Sequence, residues 1–283
     1  MSTVSVNTVD KNSGSTLTIG GAGTTVNIAG TAGTGFPSTT INNNADNRVI
    51  TGSGTSGTLN GESGLIFDGS KLGIGATPTL ALDISSTDPR IYMIDTTNAG
   101  STYKTKFGQY NDTFLISTND GANDAIKIYA TGEVSKPLQP TFLVNVSSDS
   151  VHPNLPTGVT IIDFGSEAYD VGSNVSSVGV FTAPVTGKYQ FNTSMAFAQI
   201  TSSTTLLEVF IKASNREMRG CLQNVANLQA GDYQSFGFST MVDMDANDTC
   251  FVQVAITGGG GTIDVISGST PAPLSFFSGT LIC

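Results

Sequence analysis

The strongest constraint on the fold of this chain is its lack of helical periodicity. No long stretch places apolar residues at the three- and four-residue spacing of an amphipathic helix, whereas short alternating runs such as 251–256 recur in the C-terminal half. Charged residues make up only 12% of the chain, and the Gly, Ser, Thr and Asn that replace them favour turns and short strands. The sequence therefore predicts an all-β protein.

The negative net charge argues against two classes of function. The net charge is −10, which disfavours nucleic-acid binding and docking on anionic lipid, because both need a basic face. The start, MSTVSVNTVD, has neither a basic region nor an apolar run, so no signal peptide is expected. Three scattered cysteines, Cys221, Cys250 and Cys283, make a poor disulfide framework and fit folding in a reducing cytoplasm.

The chain is organised in three parts. Residues 1–63 predict an extended segment or linker, within which 42–63 is expected to be loop. The repeat LTIG…VNIA in this part buries too little apolar surface to order itself, so it is either flexible or ordered by neighbouring copies. Residues 64–136 predict a small β domain. Residues 137–283 hold eight to ten strand candidates in quick succession, which suggest a two-sheet sandwich.

The middle part carries a distinctive phrase. GSKLGIGATPTLALDI at 69–84, followed by DAIKIYATGEV, resembles a phrase common in bacteriophage tail-fibre and appendage proteins. The resemblance implies a virion structural protein in which 1–63 contacts other virion proteins and 64–136 forms a shaft or spacer. The glycines at 73 and 75 do not make a dinucleotide-binding fingerprint, because the third glycine and a following helix are missing.

The C-terminal part carries the most specific motif. FTAPVTGKYQF at 181–191 fits F-x5-G-x-Y-x-F, which resembles the signature of the globular head of complement component one, subcomponent q, a relative of tumour necrosis factor. A preceding IDF…YD, the hairpin at 241–252 and the closing FFSGTLI match that family in the same order. The resemblance implies a ten-strand jelly roll and a homotrimer. Asn174 and Thr193 depart from the signature, and Asn247 replaces a turn glycine whose left-handed backbone Asn tolerates.

Five aromatic residues are expected at the trimer interface or in the core: Phe181, Tyr189, Phe191, Phe276 and Phe277. In the superfamily that the motif resembles, such strands pack three subunits about an axis. A threefold head is the natural cap for a threefold fibre, because closed symmetry needs one self-consistent interface. The alternative, that these rings form the core of a sandwich within one subunit, stays open.

The sequence shows no catalytic constellation, and no cofactor is expected. The single histidine, His152, cannot build a multi-histidine metal site. Asp243, Asp245 and Asp248 look like the start of a calcium loop, but the glycine and the bidentate glutamate of such a loop are missing. They remain a weak alternative metal site. Glycoside cleavage needs a pair of carboxylates, and the spacing in the sequence does not single out two of the four candidates. These are Glu208, Glu217, Asp232 and Asp264.

Contacts with a host surface glycan or protein are expected from loops, because binding residues concentrate on loops over a rigid scaffold. The candidate loops are 147–158, 199–204, 224–231 and 257–270. The candidate contact residues in them are His152, Asn154, Thr201, Asn227 and Thr262.

The leading hypothesis is a non-enzymatic, trimeric tail-fibre or appendage subunit. It would fold in the host cytoplasm, reside on the virion, and bind the host through a distal head whose weak contacts are multiplied by multivalency. Two alternatives stay open: a capsid head fibre or decoration protein, and an appendage polysaccharide depolymerase. A secreted bacterial adhesin is disfavoured by the expected lack of a signal peptide.

Overall fold

The computed structural model describes residues 39–94, 104–118, 123–148, 151–225, 233–259, 261–269 and 272–283. Every regular element within these ranges is a β-strand, which confirms the all-β prediction. None of the described residues forms a helix that is long and apolar enough to cross a membrane. The chain divides into two compact units, Met1–Thr87 and Asp88–Cys283. The LTIG…VNIA repeat lies outside the described residues, and the predicted three-part division stays a prediction.

The first unit contains one five-stranded sheet. Its strands are β1 (Thr40–Asn42), β2 (Arg48–Gly52), β3 (Thr58–Phe67), β4 (Leu72–Ile74) and β5 (Leu82–Ile84). The order is β1-β3-β4-β5, with β2 also paired to β3. The expectation that 42–63 is a loop is wrong, because β2 and the first half of β3 pair antiparallel within it.

The phrase at 69–84 has a local structural explanation. Gly73 and Gly75 sit where side chains do not fit: a Cβ on Gly73 would lie 2.2 Å from the carbonyl oxygen of Ala76, and Gly75 has a φ of +83°. The Asp83 carboxylate accepts hydrogen bonds from the backbone N–H of Thr79 at 2.6 Å and from its hydroxyl at 2.9 Å. These bonds lower the pKa of Asp83. These residues therefore shape the connection 75–81 between the parallel strands β4 and β5.

The second unit begins with a five-stranded antiparallel sheet, which we call the meander. Its strands are β6 (Arg90–Ile94), β7 (Lys104–Tyr110), β8 (Thr113–Thr118), β9 (Asn123–Tyr129) and β10 (Val134–Ser135), and each pairs with the next along the chain. A short connection, 136–140, leads into the following domain. The Gln139 side-chain amide donates a hydrogen bond to the carbonyl of Leu281, near the C-terminus of that domain.

The rest of the unit is a sandwich of two sheets. Its strands are β11 (Thr141–Asn145), β12 (Gly158–Ile161), β13 (Ser166–Asp170), β14 (Phe181–Thr182), β15 (Gly187–Ala198), β16 (Leu206–Ala213), β17 (Glu217–Gln223), β18 (Gln234–Met244), β19 (Thr249–Thr257), the short β20 (Asp264–Val265), β21 (Gly268–Ser269) and β22 (Ala272–Pro273), and β23 (Phe276–Leu281). One sheet runs β13-β11-β23-β15-β18, and the other runs β12-β19-β16-β17 with β14 also on β19. Successive strands cross repeatedly between the sheets, as in a jelly roll. Ten main strands, β11–β19 and β23, confirm the predicted fold.

Four of the five predicted aromatic residues lie in the core of a single chain. Phe181, Tyr189, Phe191 and Phe277 are at most 1% exposed, with ring centroids 5.3 Å apart for Phe181–Tyr189 and 5.6 Å for Phe191–Phe277. Their interpretation as interface residues is therefore wrong, because a ring buried by its own chain has no surface left for a partner. The alternative of a core within one subunit is correct for these four. Phe276 points to the other side of β23 and is partly exposed.

One glycine makes room for this aromatic core, and one hydrogen bond satisfies its polar atom. Gly279 lies against two rings, and a Cβ there would come within 2.6 Å of both Phe142 and Phe191. The Tyr189 hydroxyl donates a 2.7 Å hydrogen bond to the carbonyl of Val185 in the preceding turn, so the one polar atom of the ring is satisfied although burial raises the pKa of Tyr189. Tyr189 of the motif therefore links the turn at Val185 to the aromatic core.

Candidate functional site

The strand register defines two ends of the jelly roll. At one end Thr141 pairs with Thr280 and Gly187 pairs with Met244, so the chain enters and leaves the domain here; we call this end the base. At the opposite end β15 ends and β16 begins, and Leu206 pairs with Thr257 at the end of β19. We call that end the tip. The described residues of the connections 146–157, 199–205 and 258–263 lie there, and we call them the tip loops.

Asp264 joins two of the tip loops. Its Oδ1 accepts a 2.7 Å hydrogen bond from the backbone N–H of Asn154, and its Oδ2 accepts one from the side-chain amide of Gln199. Leu155 and Ile263 form an isolated antiparallel bridge beside it, closed by a 2.7 Å bond from Leu155 N–H to the carbonyl of Ile263. The loops therefore form one connected surface held by a carboxylate that lies in a predicted contact loop but whose bonding role the sequence did not indicate.

Two loop residues next to this carboxylate have left-handed backbones. Asn154 has a φ of +54° and Gln199 a φ of +57°. Asparagine adopts this conformation readily, whereas glutamine does so at a cost in conformational energy. The hydrogen bonds to Asp264 hold both residues in place, so the loops present their side chains in a preorganised arrangement.

His152 connects the first tip loop to Asp163, which follows β12 in the chain. Its Nε2 accepts a 2.6 Å hydrogen bond from the backbone N–H of Asp163, which requires the neutral ring with its proton on Nδ1. Burial lowers the pKa of His152, and its contacts with Asp163 raise it by a smaller amount. His152 therefore holds the loop in place through its neutral form.

The structure brings most of the predicted contact residues together. His152 and Asn154 lie in the first tip loop. Thr201 lies in the second, where its hydroxyl is 2.9 Å from that of Ser203. The Thr262 hydroxyl donates a 3.3 Å bond to the carbonyl of Gln199. The remaining candidate, Asn227, lies outside the described residues.

One side of the jelly roll is almost without charge. Leu143 pairs with Ser278, Ser278 with Asn192, and Asn192 with Ser239, so these outward-facing residues form a row across four strands. The full set, which we call the uncharged face, is Thr141, Leu143, Asn145, Gln190, Asn192, Ser194, Ser235, Gly237, Ser239, Met241, Phe276, Ser278 and Thr280. Charges appear only at its basal edge, where Lys188 pairs with Asp243.

The outward side of the other sheet is different. Arg219 forms ion pairs with Glu208 at 3.2 Å and with Glu217 at 2.9 Å, and Lys212 lies 3.5 Å from Glu217. The Arg219 guanidinium also covers the ring of Phe210 at 5.1 Å. The β16–β17 part of this side thus carries the interleaved charges of a solvated surface, whereas β12 exposes Val159 and Ile161. Because the uncharged face extends over four strands with charges only at its basal edge, we take it as the candidate for protein contact.

The acidic residues of the weak metal hypothesis lie at the base. Asp243 forms a 2.7 Å ion pair with Arg216, and Asp248 accepts a 3.0 Å bond from the backbone N–H of Asp245 to close its own hairpin turn. Asn247 in that turn has a φ of +75°. Within the described ranges, no group of three or more His, Cys, Asp or Glu residues is placed to hold a metal ion.

The carboxylates considered for glycoside cleavage are also engaged elsewhere. Glu208 and Glu217 are paired with Arg219 on the charged side, and the hydrogen bond from Arg219 lowers the pKa of Glu217. Asp264 is held at the tip by Asn154 and Gln199. Asp232 lies outside the described residues. The three described carboxylates therefore have structural partners, and Glu208 and Glu217 share Arg219 on the outward side of a sheet.

No protein-family model matches the sequence, and no curated protein matches it. Similar solved structures include the globular domain of a zebrafish complement 1qA protein, at 13% identity over 51% of this chain and 98% of that chain, with a TM-score of 0.37. Murine APRIL is similar at 13% identity over 51% and 99% of the two chains, with a TM-score of 0.36. The Eiger TNF of S. frugiperda is similar at 14% identity over 52% and 92%, with a TM-score of 0.32.

Proposed function

We propose that this chain is a non-enzymatic structural subunit of a virus particle, a homotrimeric tail fibre or appendage whose jelly-roll head binds the host cell surface. The observation that carries the homotrimer is the uncharged face. Small polar and apolar residues cover the outward side of four strands, while the ion pairs of Arg219 lie on the other sheet and the Arg216–Asp243 pair lies at the base. Depletion of charge is what distinguishes the centre of a protein interface from ordinary surface.

The location of both chain ends of the domain at the base supports binding through the tip. The chain enters and leaves at the base, so a shaft attached there leaves the tip loops facing outward. Three copies of a preorganised loop cluster would bind a repeated glycan or protein far more strongly than one copy, through effective concentration. The appendage-like phrase at 69–84 supports the virion assignment, with residues 1–63 contacting other virion proteins.

The homotrimer is tested by light scattering on the purified full chain. The wild type is expected at three times the mass of one chain. Asn192→Arg places a charge at the centre of the uncharged face and is expected to yield monomer. Gln253→Arg, on the charged side, is the matched control and is expected to stay trimeric. A monomeric wild type would overturn the proposal.

Location and binding need a second experiment. Antibody fragments raised against the purified chain are expected to label the fibres of the parent particle in electron micrographs and to block its adsorption to host cells. Labelling of the capsid surface instead would favour the head-fibre or decoration alternative. Release of oligosaccharides from host glycans by the purified protein would favour the depolymerase.

A further inference from the structure

The meander has two chemically different faces. Val134 pairs with Ile128, Ile128 with Phe114, and Ile126 with Ile116, and this side of the sheet continues across β7 and β6. We call this side the apolar face. Its members are Ile91, Met93, Thr105, Phe107, Gln109, Phe114, Ile116, Ile126, Ile128 and Val134. It contains no charged residue.

The opposite face carries the charged side chains of the meander, set among exposed tyrosine rings and the exposed Ile94. The Arg90 guanidinium lies 5.1 Å from the Tyr110 ring centroid, and the Lys127 ammonium lies 3.0 Å from Asp124. Beneath them Ser117 donates a 2.6 Å bond to Asp124, and Leu115 is buried. Among the described meander residues, Leu115 is the only buried hydrophobic side chain. The apolar face therefore contributes none.

The apolar face is open to solvent. Val134 is 60% exposed, Met93 51%, Phe114 40% and Ile128 37%. Together with their partly buried neighbours they leave roughly 500 Å² of contiguous apolar surface, at the upper end of what a monomer presents. A sheet with one apolar side normally hides that side against a second layer. A single meander lacks that layer among the described residues of its own unit.

We propose that the apolar faces of separate copies of this chain pack against one another, so that the meander gains its core only in the oligomer. Identical uncharged faces meet without electrostatic repulsion, and their exposed aliphatic and aromatic side chains are suited to bury each other. An ionic partner is disfavoured because the face offers no charge to pair with it.

The size of the face indicates how this contact forms. About 800 Å² per partner is typical of a stable interface, so the meander alone would associate weakly. The meander is joined to the jelly roll by 136–140, where Pro140 accepts a 3.0 Å bond from the backbone N–H of Leu281. Trimerisation through the jelly roll would bring three meanders to high local concentration. The inference therefore rests on the homotrimer proposed above.

The decisive test uses two adjacent residues of β9. Ile128 and Tyr129 are 37% and 43% exposed but point to opposite faces. Each is changed to cysteine in the full-length chain carrying Cys283→Ser, which removes an exposed thiol. Under mild oxidation, Ile128→Cys is expected to form disulfide-linked dimers, and Tyr129→Cys is expected to form far fewer. If residues 1–87 of the same chain covered the face instead, no such dimers would form, and the inference would fail.

A second pair of variants does not depend on disulfide geometry. Ile128→Lys is expected to speed amide hydrogen exchange in β8 and β9 about tenfold, because the charge opens the packed face. Tyr129→Lys should leave exchange unchanged. Light scattering separates the two proposals: trimers with unaltered exchange in Ile128→Lys overturn only this inference, whereas a monomeric wild type overturns the homotrimer as well.

Discussion

Asp264 accepts a 2.7 Å hydrogen bond from the backbone N–H of Asn154, which lies 110 residues earlier in the chain. This bond and the one from Gln199 hold two tip loops to one carboxylate. Asp264→Ala is therefore expected to lower the free energy of unfolding by about 1–2 kcal/mol, because partners of a charged acceptor are left unpaired. Denaturant titration measures the loss. Asp245→Ala removes the same charge at the base and should change stability by less than about 0.5 kcal/mol.

The aromatic core provides a second prediction. Phe191→Ala removes a fully buried ring that stacks on Phe277. The expected loss in the free energy of unfolding is about 3–5 kcal/mol, from lost burial and the cavity left behind. Tyr233→Ala, at an aromatic residue that is 75% exposed, should cost little. Equal losses for the two variants would contradict the assignment of Phe191 to the core.

Gly279 provides a test in the opposite direction, by adding volume. A Cβ at this position would lie 2.6 Å from Phe142 and from Phe191, so Gly279→Ala is expected to destabilise the domain by about 1–3 kcal/mol through overpacking. Gly165→Ala is the control, because its nearest neighbour would lie at 3.4 Å. Thermal unfolding of the two variants should differ clearly; similar midpoints would show that the rings can move aside.

Much of the jelly roll could be predicted from sequence, because its long strands alternate clearly. The motif at 181–191 spans β14, a turn and the start of β15, and the left-handed Asn247 was expected from its place in a turn. The strands that the sequence did not indicate include β2, β7, β10, β13 and β17. Among these, β7, β13 and β17 are rich in polar or charged residues such as Glu217 and Arg219, so their apolar alternation is weak. This holds even though β7 and β17 pair with strands that are next to them in the chain.

The identity of the buried faces could not be predicted in the same way. Alternation shows that Phe191 and Tyr189 share one side of β15, but not whether the second sheet or another subunit covers it. One clue was available: Phe276 and Phe277 are adjacent in a strand, so one of them had to point outward. The role of Asp264 depends on loop closure across the whole domain, which no local pattern encodes.

The neutral state of His152 predicts a pH dependence. Burial lowers the pKa of His152 below the ordinary value of 6.5, so the unfolded chain takes up the proton first as the pH falls. Well above pH 6.5, the neutral ring contributes its full stabilisation. This stabilisation is lost as the pH falls through 6.5 towards the lower pKa of His152 in the folded state. Wild-type stability is therefore expected to fall between about pH 7.5 and pH 5.5.

The comparison variant for this dependence is His152→Gln. The amide oxygen can still accept the N–H of Asp163 but does not titrate. The difference in unfolding free energy between wild type and variant should shrink on acidification, as followed by urea titration at each pH. A difference that is constant with pH would contradict the role assigned to the ring.

The location of both chain ends of the jelly roll at its base has an evolutionary and practical consequence. Residues can be inserted beside exposed tip positions such as Gly261 and Thr262 without shifting the register of the ten main strands, because these positions lie beyond the point where the strands stop. The domain can therefore serve as an exchangeable display platform. Foreign peptides inserted at these positions should be displayed far from the base, and the two sheets should keep their structure.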